Sequence, residues 1–359
     1  MHRFFKAGLL VLVTLVSCQR PVGTGRDTIE LVKFIAGSSN SPEHVMLASF
    51  SKVPSSGDIC IIGGPESCGL VSEAFLTCDI TENARGRQWS DGLKDFAGEC
   101  FACFVDDANF PYAKLDPRSI RELSVRYALA ALSNSCNVSK YDLEGKKEKT
   151  PAKMLLLADP MLLVNGKFDI DTLFSMTGCR VPVFSPTELL FNAALGGEKK
   201  YFNLGILCDT LYLDKGVYPA VFGAKTHEFD IVGANYFESS SRTLAGFLDD
   251  YAAAGRAAPL EALLIDDWNV DLESMENELA AMRDLTREDY MRYGKYLAPD
   301  FKIIASLPLT MTTCYTTLRS GNLFTHRIAQ PVARYFSISP RPDAGDMQFL
   351  LIPADNVQN

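Results

Sequence analysis

The stretch "FDIVGANYFESSSRTLAGFLDDYAAAGRAAPLEALLIDDWNVDLESMENELAAMR", residues 229–283, decides the fold class. It opens on an apolar run, "FDIVGANYF", followed by Ser239 to Ser241 as helix caps. Leu244, Phe247, Leu248 and Tyr251 then recur at helical spacing until Gly255 stops the helix. A second apolar run, "LEALLIDD", comes next. Asp271 is placed to cap a helix whose Leu272, Met275, Leu279 and Met282 form one apolar stripe. This is a β-α-β-α succession with short connections, which a parallel α/β sheet requires.

Outward from this unit, short apolar runs ending in turn or acidic residues recur along the chain. They include "DTIELVKFIAG", "DICIIGGP", "CFACFVDDA", "AKMLLLADP", "RVPVFSP", "YFNLGILCD", "FKIIASLP" and "MQFLLIPAD". Continuous apolar strands are those of a parallel sheet covered on both faces. Ser185-Pro186-Thr187-Glu188 reads as a capping box with proline at the first helical position. A helix is expected over residues 119–134, and a charged loop over 140–149. The expected fold class is α/β, with two Rossmann-like lobes of mostly parallel sheet. The lobes are assigned to residues 28–199 and 200–359.

The chain has 359 residues, 35 Lys and Arg against 44 Asp and Glu, and a formal net charge of −9. An acidic surface repels phosphate backbones, so nucleic acid is not an expected partner. Of ten cysteines, Cys60 and Cys208 sit in apolar runs as small buried hydrophobes. Cys100 and Cys103 have CxxC spacing but lie in a strand reading, where residues three apart face opposite ways. Cys68 and Cys78 are spaced for a short disulfide loop. No further close pair of ligands completes a zinc site, and neither a metal nor a cofactor is expected.

The first residues carry an export signal. Arg3 and Lys6 precede an apolar segment, Ala7 to Val16, which is too short to span a bilayer. Leu15-Val16-Ser17-Cys18 resembles the lipobox of bacterial lipoproteins. That resemblance implies a signal peptide over 1–17, acylation of Cys18 (palmitate among the chains), a tether over 18–27 and a lipid-anchored place in the cell envelope. Gln19, where aspartate would retain the protein at the inner membrane, implies the outer membrane.

Most candidate ligand residues fall at strand ends, where open α/β sheets bind ligands. They are Asp106, Asp107, Asp159, Asp209, Asp266, Asp267 and Trp268, with Tyr236, Glu66 and Ser67 beside them. An acidic pair next to an indole suits a hydroxylated or flat ring; as helix and turn caps the same aspartates would have a purely local role. Gly63 and Gly64 match neither the dinucleotide nor the P-loop pattern and read as a tight strand-to-helix turn. No GxSxG or HExxH occurs, and no catalytic residue is singled out. The anchor, tether and two lobes resemble, in architecture, the type I periplasmic solute-binding proteins. That implies a small polar solute, of sugar or nucleoside class, held between the lobes. The alternatives are an accessory lipoprotein with a protein or polysaccharide partner, and an envelope hydrolase on the same scaffold.

Overall fold

The computed structural model describes residues 26–82, 86–342 and 347–354. In chain order the first lobe contains α1 (Glu30–Gly37), α2 (Pro42–Ser49), β1 (Asp58–Gly63), α3 (Pro65–Thr77), β2 (Cys100–Asp106), α4 (Pro117–Leu132), β3 (Ser135–Ser139), β4 (Asp142–Glu148), β5 (Ala152–Leu157), α5 (Pro160–Leu162), α6 (Phe168–Thr177) and β6 (Val183–Phe184). The second contains α7 (Pro186–Leu195), β7 (Asn203–Leu207), α8 (Val217–Glu228), β8 (Asn235–Ser239), α9 (Leu244–Ala253), β9 (Leu260–Ile265), α10 (Leu272–Arg283), α11 (Glu288–Tyr293), β10 (Leu297–Ala305) and α12 (Ser306–Ser320). The chain then returns with β11 (Val332–Pro340) and β12 (Phe349–Pro353).

The fold is α/β with two parallel-sheet lobes. The first sheet has the order β12-β11-β2-β1-β5-β6, and the second β10-β9-β7-β8. Every pairing in them is parallel except that of β12 with β11. Central strands are buried on both faces, as their unbroken apolar runs require. In β1, Cys60 and Ile62 join one core layer while Ile59 and Ile61 join the other. In β9, Ala262 and Leu264 face one layer, and Leu263 and Ile265 the opposite one.

Two of the helices capped by aspartate show the local chemistry. Asp116 Oδ1 accepts from the Arg118 and Ser119 amides at the start of α4, and Asp271 Oδ1 from the Ser274 amide at the start of α10. Gly63 ends β1, and Gly64 turns the chain into α3. A Cβ on Gly64 would come within 2.7 Å of the Phe110 ring, so only glycine fits.

Five expectations are corrected, the first being the charged loop over 140–149, of which Asp142–Glu148 is strand β4, paired antiparallel with β3. "DTIELVKFIAG" forms helix α1: Val32 and Ile35, three apart, are buried while Lys33 and Phe34 are exposed, a helical period. "FDIVGANYF" is strand only from Asn235, because Gly233 turns with φ +81° and Val232 is exposed. Cys68 and Cys78 do not pair. Cys68 Sγ lies 3.4 Å from the Phe104 carbonyl, and Cys78 Sγ donates to Asp95 Oδ2 at 3.1 Å. The lobe assignment 200–359 fails at its end, because β11 pairs with β2 from Val332 to Ile338 and so belongs to the first sheet. The second lobe is therefore inserted between β6 and β11, and α7 and α12 lie together where the chain crosses between lobes.

Residues 1–25, including the signal segment and Cys18, lie outside the described residues. Of the expected tether 18–27, Arg26 and Asp27 are described and are fixed to the first lobe. Arg26 Nη1 donates to the Val164 carbonyl at 3.0 Å, and Arg121 Nη2 donates to the Asp27 carbonyl at 2.5 Å.

The returning segment is secured by a buried ion pair. Lys153 on β5 has no exposed surface and lies 2.6 Å from Glu99 Oε2. Its ammonium also donates to the Ser55 and Leu323 carbonyls, while Glu99 Oε1 accepts from the Thr325 amide. Removing one partner strands a charge in the interior. Glu99→Gln is expected to lower unfolding free energy by about 3–5 kcal/mol, measured as a shift in the urea transition.

Candidate functional site

Three strands around the junction of the lobes end in a buried aspartate. Asp106 closes β2, Asp159 follows β5 and Asp266 follows β9. Each accepts a tyrosine hydroxyl. Tyr127 on α4 donates to Asp106 Oδ2, Tyr212 to Asp159 Oδ2 at 2.6 Å, and Tyr218 on α8 to Asp266 Oδ2 at 3.1 Å. The Tyr212 bond crosses between lobes, because Tyr212 follows β7 and Asp159 follows β5. Thr187, in the first turn of α7, adds a second donor to Asp266 Oδ2 at 2.6 Å.

Desolvation dominates the electrostatics here. Burial pushes the Asp159 carboxyl up to about 7, against the opposing bonds from Tyr212 and the Met161 amide, and the charge of Asp266 adds to the rise. Burial likewise pushes Asp266 up to about 6, opposed by Thr187, Ser306 and Tyr218. Burial also raises the Tyr212 and Tyr218 hydroxyls, so both remain neutral donors. The oxygens differ in occupancy. Asp266 Oδ2 takes two hydroxyls, whereas its Oδ1 is buried without a hydrogen-bond partner, as is Ser185 Oγ. Ser185 begins α7 but does not cap it, and Glu188 pairs instead with Lys225 at 3.0 Å and Lys167 at 3.5 Å. The expected capping box is thus replaced by an ion-pair cluster.

The other expected ligand residues do not gather at one place. Asp107 is exposed, and Asp209 makes a local turn by accepting from the Leu211 amide at 2.7 Å. Asp267 is buried beside Asp266 but is engaged by Arg242 Nε at 2.9 Å and by the Asn269 amide at 3.0 Å. Trp268 and Glu66 join the lobes: Trp268 packs against the first lobe's core and donates from Nε1 to Ser306 Oγ, while Asn269 Nδ2 donates to Glu66 Oε1. Ser67 is half-buried in the first turn of α3 and about 3.4 Å from where a Gly63 Cβ would stand. Tyr236 lies elsewhere, on edge strand β8, with its ring 4.7 Å from that of Phe222. Sequence reasoning missed Tyr212, Tyr218 and Thr187, whose hydroxyls find their acceptors only through the tertiary fold, and Ser306, whose hydroxyl accepts from Trp268.

Among the described residues, no three His, Cys, Asp or Glu side chains gather closely enough to hold a metal ion. No described helix is long and apolar enough to cross a membrane. The nine described cysteines are free and buried, with Cys103 and Cys314 raised by burial to about 12, far from thiolate reactivity.

No family model and no curated protein matches the chain. Among solved structures it is similar to a Thermus thermophilus glutamate racemase, with 16% identity, TM-score 0.43, 81% of this chain and 90% of that one covered. A Francisella tularensis glutamate racemase gives 12%, 0.46, 80% and 90%, and a Picrophilus torridus aspartate racemase 11%, 0.36, 74% and 95%. These neighbours are amino-acid racemases, not solute-binding proteins. The expectation of a solute held between the lobes is corrected by the geometry. Asp106, Asp159, Asp266 and Asp267 are at most 7% exposed and turned into internal bonds, so they do not line an open cleft.

Tyr212→Phe removes the hydroxyl that crosses the seam. At pH 8, where Asp159 is ionised, the expected loss of stability is about 1.5–3 kcal/mol. At pH 5, where Asp159 is protonated, the loss shrinks. Urea unfolding of the variant at the two pH values checks both statements.

Proposed function

We propose that the seam is the proton-transfer centre of an enzyme acting on a small polar substrate, closed in this conformation. The observation that carries the reading is the pair of buried carboxyls, one from each lobe, whose proton affinities are raised towards neutral, to about 7 and about 6. A general acid and a general base work best with pKa values near the operating pH, and environments that push two carboxyls apart assign the roles. At pH 7 Asp266, near 6, is mostly ionised, and its unbonded Oδ1 is the lone pair available to accept a proton. Asp159, near 7, is about half protonated by the same arithmetic and supplies the acid. Tyr212, Tyr218 and Thr187 fix the orientation of both. Substrate entry requires the lobes to part at Trp268 and at the Tyr212 bond, with α7 and α12 as the connections that stay intact. Closure excludes water from the transfer.

The pH behaviour has a definite sign. Both carboxyls have folded-state pKa values raised above about 4, so the folded chain holds more protons than the unfolded chain between about pH 4 and 7. Their contribution to stability is therefore greatest at low pH and falls as pH rises through that window. Asp159→Asn is expected to flatten this slope. In deuterium oxide the protein is expected to exchange the α-hydrogen of one member of a panel of amino and hydroxy acids, followed by proton NMR. The rate should peak between the two apparent pKa values of the pair, and Asp159→Asn or Asp266→Asn should each lower it by about 10²–10⁴. A folded protein that exchanges nothing across the panel, or one whose exchange survives both substitutions, would overturn the reading.

We also propose acylation at Cys18. The support is the order of residues alone: a short basic segment, an apolar run and Leu15-Val16-Ser17-Cys18. Metabolic labelling with palmitate in a bacterial host should mark the full chain, and Cys18→Ala should abolish the label.

A further inference from the structure

A second polar recess lies at the outer edge of the second sheet. It has a volume of about 400 Å³ and is lined by Asp214, Phe222, Tyr236, Glu238 and Arg256 together with neighbouring backbone. β8 has β7 as its sheet neighbour on one side and forms the sheet edge on the other. Tyr236 and Glu238, two apart on that strand, point to the same face. The ring of Phe222, from α8, stands 4.7 Å from that of Tyr236 at 49°. Together they make an aromatic wall next to a carboxylate.

The carboxylate is unusual in its surroundings. Glu238 Oε2 is enclosed and receives no hydrogen bond. Burial raises its pKa, and the carboxylate of Asp214 raises it further. Arg256, the cation among the lining residues, acts on the Tyr236 hydroxyl, where it opposes the rise caused by burial and by Glu238. An enclosed acceptor that receives no hydrogen bond and stands beside a like charge is a costly arrangement, which a cationic donor would relieve. Aromatic faces attract the same kind of group through their quadrupoles.

We propose that this recess binds an organic ammonium group, with Glu238 as hydrogen-bond acceptor and counter-charge, Asp214 as the second charge and Phe222–Tyr236 as the wall over the alkyl part. The site is separate from the seam and does not rest on the proton-transfer reading.

The test is calorimetric titration of the full-length chain in detergent with butylammonium chloride, using sodium chloride at equal ionic strength as the blank. Saturable binding is expected. Glu238→Gln should weaken it about tenfold, equivalent to 1.4 kcal/mol. Phe222→Leu should weaken it about two- to fivefold, the range of an exposed cation–aromatic contact. Lys146→Gln, in the first lobe, should leave it unchanged. If Glu238→Gln does not fold, as judged by its thermal transition, Asp214→Asn provides the same test with a smaller expected loss. Tetramethylammonium, which lacks N–H donors, should bind more weakly than butylammonium. A flat butylammonium titration would overturn the proposal. So would binding indifferent to both carboxylate substitutions, or calcium displacing the amine with Phe222→Leu unimpaired.

Discussion

The hydrogen bond from Tyr212 to Asp159 is the contact on which the closed arrangement of the lobes depends. It takes a hydroxyl from the second sheet and buries it against a carboxyl at the end of a strand in the first. Around it the same device recurs within each lobe, Tyr127 on Asp106 and Tyr218 on Asp266. A strand-end aspartate that faced water would need no such partner. Here each is desolvated, and a tyrosine supplies a neutral donor on an apolar ring, filling the space while meeting the oxygen. The seam is consequently polar at its centre and apolar around it, with Trp268 set into the first lobe's core.

This design balances two demands. Asp159 and Asp266, held by neutral hydroxyls and amides, keep raised proton affinities, whereas lysine or arginine partners would hold them ionised. The cationic side chains of the region are placed one step away: Arg242 on Asp267, and Lys167 and Lys225 on Glu188. The charges that stabilise the fold are thereby kept off the two carboxyls suited to chemistry near neutral pH.

Much of the fold was legible in the sequence because it is written in local patterns. Two-sided apolar strands such as Ile59–Ile62 and Leu263–Ile265, and the stripe of Met275, Leu279 and Met282, follow from periodicities of two and of three to four. The Asp271 cap needs only its next three residues. What was not legible depends on contacts distant in sequence. Nothing in "QPVARYFSISP" states that it will lie beside Cys100–Asp106, since strand register between remote segments is set by mutual burial. The strand-end aspartates stand out in the sequence as a group, but a ligand and a buried hydroxyl make the same demand on a carboxylate. Ser185-Pro186-Thr187-Glu188 shows the converse: a sound local motif was overridden because Glu188 met two lysines and Thr187 met Asp266.

The return of β11 to the first sheet has a consequence for the order in which the molecule is made. During synthesis β2 emerges before the second lobe, with β1 on one side and nothing on the other, and its apolar edge stays open until β11 is made. The inserted second lobe has all four of its strands before that point and so can close its own sheet first. A ribosome-bound chain therefore carries a finished later lobe and an unfinished earlier one, reversing the usual N-terminal-first order. A nascent chain cut short before Val332 would present an unpaired apolar strand, a hazard for aggregation that falls on the half of the protein translated first.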